Sequence, residues 1–164
     1  VVPHEYFHVW QKSHAPDVME IKWLSEGAAA TLESMYVQEN YGYDYFSSAQ
    51  ESNLSNQVIK TPSLYESYDA SGGDLDANYS GSVFLTLALA KELKNKGLTE
   101  TQAFRKILKD FYLLKPDSKN WKNKFEEIFL ISTDSFYDAV RQYEVSYKDL
   151  LPGSKLKLSE IFSN

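Results

Sequence analysis
Two histidines and a glutamate stand close together in Val1-Val2-Pro3-His4-Glu5-Tyr6-Phe7-His8. On a helix each residue advances by about 100°, so side chains four apart lie about 40° from each other on one face. His4 and His8 can therefore reach one tetrahedral zinc ion. Glu5 projects about 100° from His4, beside such an ion rather than onto it. That is where a general base for a metal-activated water belongs. His-Glu-x-x-His on a helix is accordingly a zinc-hydrolase pattern.

A catalytic zinc takes three protein ligands and keeps a fourth position open. The sequence has no cysteine, which excludes disulfides and thiolate zinc sites and leaves histidine and carboxylate as ligands. Two residues compete for the third place. His14 completes H-E-x-x-H-x-x-x-x-x-H, the metzincin spacing. In that pattern a glycine turns the chain where this sequence has Gln11. The two methionines, Met19 and Met35, fall in or beside the second predicted helix and form no separate turn. The other candidate is Glu26, within Trp23-Leu24-Ser25-Glu26-Gly27-Ala28-Ala29 on the next predicted helix. Gly27 and the alanines are small enough to let that helix come close to the first.

With both segments in view, the chain resembles the helical catalytic subdomain of the gluzincin metallopeptidases, the thermolysin-like and aminopeptidase-like group. In the aminopeptidase branch the third ligand is the glutamate of a Trp-Leu-x-Glu-Gly-x-Ala sequence, which residues 23–29 match at each fixed position. The seventeen residues 9–25 separate His8 from Glu26, one fewer than in that branch. The resemblance implies one Zn2+ held by His4, His8 and Glu26, with Glu5 as the base. Glu33, seven residues after Glu26, returns to within about 20° of the same face. It is placed to accept the free ring N–H of a ligating histidine, most simply His4. Tyr79, in Asn78-Tyr79-Ser80-Gly81-Ser82, resembles the group's tyrosine segment, although Ser80 and Ser82 depart from the pattern. That likeness implies a phenol donating to the oxyanion of a tetrahedral intermediate. The sequence holds 12 tyrosines, so residue type alone does not single out Tyr79; Tyr65 and Tyr68 are weaker candidates.

The implied activity is zinc-dependent hydrolysis of a peptide bond, with a peptide or protein substrate. The alternatives are a catalytically inactive binding or scaffold domain on the same fold, and a metal-dependent hydrolase of a non-peptide bond. The resemblance further implies an upstream β-sheet subdomain forming the other wall of the cleft. Residues 1–164 are then expected to be a fragment, the C-terminal half of a zincin-like catalytic domain. Secreted or periplasmic location is common in the group.

Composition sets outer bounds. The net charge of −6 argues against a nucleic-acid partner. The lysines and arginines between Lys91 and Lys124 are interrupted by acidic residues, as on solvated helix faces. No apolar run approaches the ~18 residues needed to span a membrane.

The elements that must position these residues are helices, about six in one mainly α domain, with no confident strand. The first runs from about Pro3 to Lys12 and breaks at Ser13–Asp17, where Pro16 disfavours a helical Ala15. The second spans about Ile21–Tyr41, with Gly42 as its stop. Residues 42–73 look irregular, Val58-Ile59 is too short for a strand, and Ser71-Gly72-Gly73-Asp74 signals a turn. A third helix, about Ala77–Lys94, carries Val83, Leu87 and Ala90 on one stripe. Thr99-x-x-Gln102 predicts a capping box for a fourth, with Phe104, Ile107, Leu108 and Phe111. A fifth holds Trp121, Phe125, Ile128 and Phe129. A sixth, capped by Ser132 or Thr133, holds Phe136, Val140 and Tyr143. Lys155–Phe162 predicts a short terminal helix.

Overall fold
A computed structural model describes residues 2–68 and 75–164, with backbone only at 75 and 76. The turn expected at Ser71-Gly72-Gly73-Asp74 lies outside the described residues. Within them the fold is all-α, with nine α-helices and no strand.

Helix α1 (Val2–His14) carries Pro3 and Glu5 in its first turn and Lys12 and His14 in its last, the charge order that the helix dipole favours. It outlasts the expected end at Lys12 by two residues, because Ala15 N–H still reaches the Gln11 carbonyl at 2.8 Å. The helix stops at Ala15, whose φ of −144° and ψ of 71° are those of a residue before proline. A 3-10 turn (Pro16–Glu20) redirects the chain. A π-helical turn (Trp23–Gly27) then runs directly into α2 (Ala28–Tyr41). Gly42, at φ +64°, ends α2 in the left-handed region, and its N–H bonds the Gln38 carbonyl at 3.1 Å.

The stretch after Gly42 is not irregular. It folds as successive short helical turns, Phe46–Gln50, Glu51–Asn53, α3 (Gln57–Lys60) and Pro62–Glu66. Phe46, Val58 and Tyr65 anchor these turns by inserting into the core. Such turns lack the long periodic pattern that makes a helix visible in sequence.

Helix α4 (Leu75–Asn95) is the centre of the fold. Val83, Phe84, Leu85, Leu87, Ala88, Leu89, Ala90 and Leu93 are all buried, so its apolar residues surround it rather than forming one stripe. Gly27 packs against it so closely that an added Cβ would lie 2.4 Å from the Ser82 carbonyl oxygen. This corrects the role inferred for Gly27: the close approach is to α4, not to α1.

Against α4 pack α5 (Glu100–Arg105) and α8 (Thr133–Val140); α5 continues through a π turn (Lys106–Asp110) into α6 (Phe111–Leu113), α7 (Trp121–Phe129) bridges that turn to α8, and α9 (Leu158–Phe162) packs on α5. Both arms of the Thr99/Gln102 capping box form. Ser132, not Thr133, caps α8, accepting from the Ser135 N–H at 3.1 Å. Tyr143 falls beyond α8 rather than within it. One aliphatic and aromatic core runs from Phe7 to Ile161. No helix among the described residues is long and apolar enough to cross a membrane.

Candidate metal centre
Helix α1 turns one polar face inward, and His4, His8 and Gln11 are buried on it. The π turn before α2 brings Glu26 against that face. The result is a nearly equilateral triangle of donor atoms. Oε2 of Glu26 lies 3.2 Å from His4 Nε2 and 3.1 Å from His8 Nε2, and the two Nε2 atoms are 3.0 Å apart. A tetrahedral zinc with bonds of about 2.0–2.1 Å separates its ligand atoms by about 3.3 Å, so the spacing fits. Among the described residues this is the one group of three histidine or acidic side chains able to hold a metal.

The protonation of the triangle follows from the hydrogen bonds behind it. The Leu24 carbonyl can only accept, so the Tyr112 hydroxyl, 2.6 Å away, donates to it. That hydroxyl then accepts from the Gln11 amide at 2.9 Å, and the same amide donates to the Ser25 carbonyl at 3.1 Å. Gln11 Oε1 is thereby turned toward His8 Nδ1, at 2.7 Å, and must accept from it. His8 thus carries its proton on Nδ1 and presents a lone pair at Nε2. On His4, Nδ1 faces a Glu33 carboxylate oxygen at 3.7 Å, which favours the same tautomer. Two imidazole lone pairs and a carboxylate oxygen then point at one another with no donor among them. A single proton can bridge one edge of that triangle, whereas a cation at its centre serves all three.

The electrostatics show that the triangle favours positive charge, whether carried by a proton or by a metal ion. Burial alone would raise the Glu26 carboxyl, yet the hydrogen bonds and charge of His4 and His8 hold it well below the ordinary carboxylate range. Burial would lower the His8 imidazole, but the hydrogen bonds it can donate to Glu26 and Gln11, with the charges of Glu26 and Glu5, leave it raised.

A cavity of about 390 Å³ reaches this centre at His4 and is lined also by Glu5, Ala30, Glu33, Tyr45, Ala49, Gln50, Asn53, Tyr79 and Ser80. Glu5 is exposed to it, as its angular position on α1 required. The Tyr79 ring stands edge-on to His4, with centroids 5.9 Å apart. Burial foremost, then the charge of Glu26, a hydrogen bond to it and the charge of Glu5, push the Tyr79 phenol up to about 12. It therefore keeps its proton and can donate throughout the neutral range.

Comparison of the chain with protein-family models, curated proteins and solved structures gives no match. The gluzincin likeness therefore rests on the residues of this chain and their arrangement.

His14 and Tyr65 hold contacts of their own, while Tyr68 lies within electrostatic reach of Glu26 and Tyr79. His14 is the last residue of α1, stacks on Trp10 with centroids 4.6 Å apart and is bonded to the Trp10 carbonyl at 2.9 Å. It is not one of the three clustered donors. Tyr65 is buried against Gly81, whose added Cβ would meet its ring at 2.1 Å. The Tyr68 hydroxyl sits 3.1 Å from Ser82 Oγ. Sequence reasoning missed Gln11 and Tyr112. Gln11 carried a signal, since three residues after His8 it must share the histidine's face. Tyr112 lies 101 positions from Gln11 and carried none.

Proposed function
We propose that this chain is the helical half of a zinc-dependent peptide hydrolase, with one Zn2+ held by His4, His8 and Glu26. The observation that carries this reading is the buried triangle of three ligand atoms, from His4, His8 and Glu26, within 3.2 Å of one another. Bound there, zinc supplies a Lewis acid that activates water at neutral pH and polarises a carbonyl. Glu5 takes the proton of the attacking water and returns it to the departing amine. Tyr79 donates to the oxygen on which negative charge develops, a contribution of about 3–4 kcal/mol for one such donor in other enzymes. Gln11 and Glu33 hold the imidazoles in the tautomer that ligation needs. The substrate is a peptide or protein.

The test has two stages. Zinc titration of the protein should saturate at one equivalent; no binding would leave a scaffold domain as the reading. Glu5→Gln should then retain zinc and lose hydrolysis by about 10²–10⁴-fold, the usual worth of a positioned general base. A Glu5→Gln protein as active as the parent chain would remove Glu5 from the mechanism.

A further inference from the structure
Tyr79 is the fifth residue of α4, directly after the four positions at which a helix has no internal acceptor for its N–H groups. Helix ends open more readily than helix middles. A donor to an oxyanion must nevertheless be held within about 0.5 Å of its working position. Successive helical residues step round by about 100°, so positions 79–82 cover the whole circumference of α4. Tyr79 takes one quarter, with its ring edge-on to His4 and its hydroxyl bonded to Glu26. The three residues that follow are each met by a tyrosine from outside the helix. The Tyr147 hydroxyl donates to the Ser80 carbonyl at 2.5 Å. The Tyr65 ring lies against Gly81, where an added Cβ would meet it at 2.1 Å. The Tyr68 hydroxyl sits 3.1 Å from Ser82 Oγ.

Of these three, Tyr147 is itself anchored at both ends. It is buried, its ring stacks on Phe84 one turn further along α4 with centroids 6.4 Å apart, and its N–H donates to the Glu51 carboxylate at 2.8 Å. Glu51 also accepts from Ser146 Oγ at 2.8 Å. Within a helix the Ser80 carbonyl is already claimed by the N–H four residues on, so its bond from Tyr147 uses a second lone pair and is not needed to form the helix. It fixes where the helix stands. Resting on the metallopeptidase reading above, we propose that Tyr147 is a positioning residue: through the Ser80 carbonyl it sets the rotation of α4 at which the Tyr79 hydroxyl meets the oxyanion. Without that bond the first turns of α4 can turn about their axis, and a side chain as long as tyrosine carries a small rotation into a displacement at its hydroxyl. Such a displacement loses the bond to the oxyanion and leaves the metal ligands, on α1 and the π turn, in place.

The test uses the zinc-loaded chain and a dipeptide phosphinate, whose tetrahedral anionic group binds zinc and offers an oxygen where the oxyanion forms. Calorimetry gives the phosphinate affinity. Competition with a chelator gives the zinc affinity, which reports whether the centre is intact. Tyr79→Phe should weaken the phosphinate at least about tenfold, since one oxyanion donor is worth about 10²–10³-fold in rate in other enzymes. Tyr147→Phe should weaken it at least about threefold with zinc affinity unchanged. In the double variant Tyr79→Phe/Tyr147→Phe the phosphinate affinity should equal that of Tyr79→Phe alone, because a residue that acts through Tyr79 has nothing left to act on. Additive losses, or a Tyr147→Phe protein that binds the phosphinate as the parent chain does, would overturn this inference alone. So would a parallel loss of zinc affinity in Tyr147→Phe, the mark of a loosened core. Failure of the parent chain to bind zinc, or of its zinc to bind the phosphinate, would instead remove the metallopeptidase reading, and this inference with it. A Tyr79→Phe protein with parental phosphinate affinity would remove Tyr79 from that reading, with the same consequence.

Discussion
The hydrogen-bond chain from Leu24 through Tyr112 and Gln11 to His8, and the chain from Trp23 through Tyr137 to Glu66, begin at neighbouring residues of one π turn and end differently. Both pass through a buried tyrosine whose phenol burial holds well above its ordinary range. In the second, Trp23 Nε1–H donates to the Tyr137 hydroxyl at 3.1 Å, which donates to Glu66 at 2.9 Å, and Lys122 approaches the same carboxylate at 3.3 Å. Each donor meets an acceptor, and the terminal charge meets its counter-charge. The first chain does not close. Its last member, His8, is left with a lone pair facing two others. Three ligand atoms that converge to within 3.2 Å of one another in a buried site, at the end of a network that turns a lone pair toward them, make a site for something that accepts electron pairs.

Removing one corner of the triangle is the strongest way to break that contrast. Glu26→Ala should weaken zinc binding by more than about 100-fold, beyond the 10–100-fold that outer partners contribute. Competition with a chromogenic chelator measures it. Unchanged affinity would show that the open end of the first chain has no bearing on metal.

Gln11→Leu sharpens the contrast without touching a ligand. It keeps the side chain's bulk, frees the His8 ring to choose its tautomer and leaves the Ser25 carbonyl without its amide donor. Zinc affinity should fall by about 10–100-fold. The fold should lose about 1–3 kcal/mol, the cost of a buried polar group left without its partner. Zinc binding equal to that of the parent chain would mean that His8 needs no orienting partner.

Gly27→Ala probes how the π turn is held. An added Cβ would lie 2.4 Å from the Ser82 carbonyl oxygen and 2.8 Å from Thr86 Oγ1, so the turn and α4 must separate. Overpacking of this kind costs about 1–3 kcal/mol, occasionally more, measured by denaturant unfolding. Zinc affinity should drop only a few-fold, because Glu26 moves with its turn rather than being lost.

These variants also mark how far the sequence could be read. His4, Glu5 and His8 were legible because a helix converts spacing into direction, and α1 is a regular helix through all of them. Glu26 and Gly27 were legible as a pattern, but the partner of Gly27 was not, since nothing local distinguishes a glycine facing α1 from one facing α4. Trp23–Gly27 was expected to be ordinary helix; its π geometry widens the turn that carries Glu26 and leaves no trace in composition. The long helices appeared within a few residues of their observed ends. The turns of residues 46–66 did not, because they are held by single anchors, Phe46, Val58 and Tyr65, rather than by a repeating face.

The smallest expected effect on metal binding is the one that separates the two chains most cleanly. Tyr137→Phe leaves the Trp23 indole N–H buried without an acceptor and takes from Glu66 its phenol donor. The fold should lose about 1–3 kcal/mol. For a chain of this size that lowers the melting temperature by about 2–4 °C per kcal/mol. Zinc affinity should not change, because this network reaches its counter-charge at Lys122 without passing through any donor of the triangle. Tyr112→Phe supplies the matched control. It removes one hydroxyl of similar burial, yet that hydroxyl sits two hydrogen bonds from His8, and zinc affinity should fall with stability. If both variants weakened zinc equally, the metal would be reporting the integrity of the core, and the distinction between a closed network and an open one would lose its force.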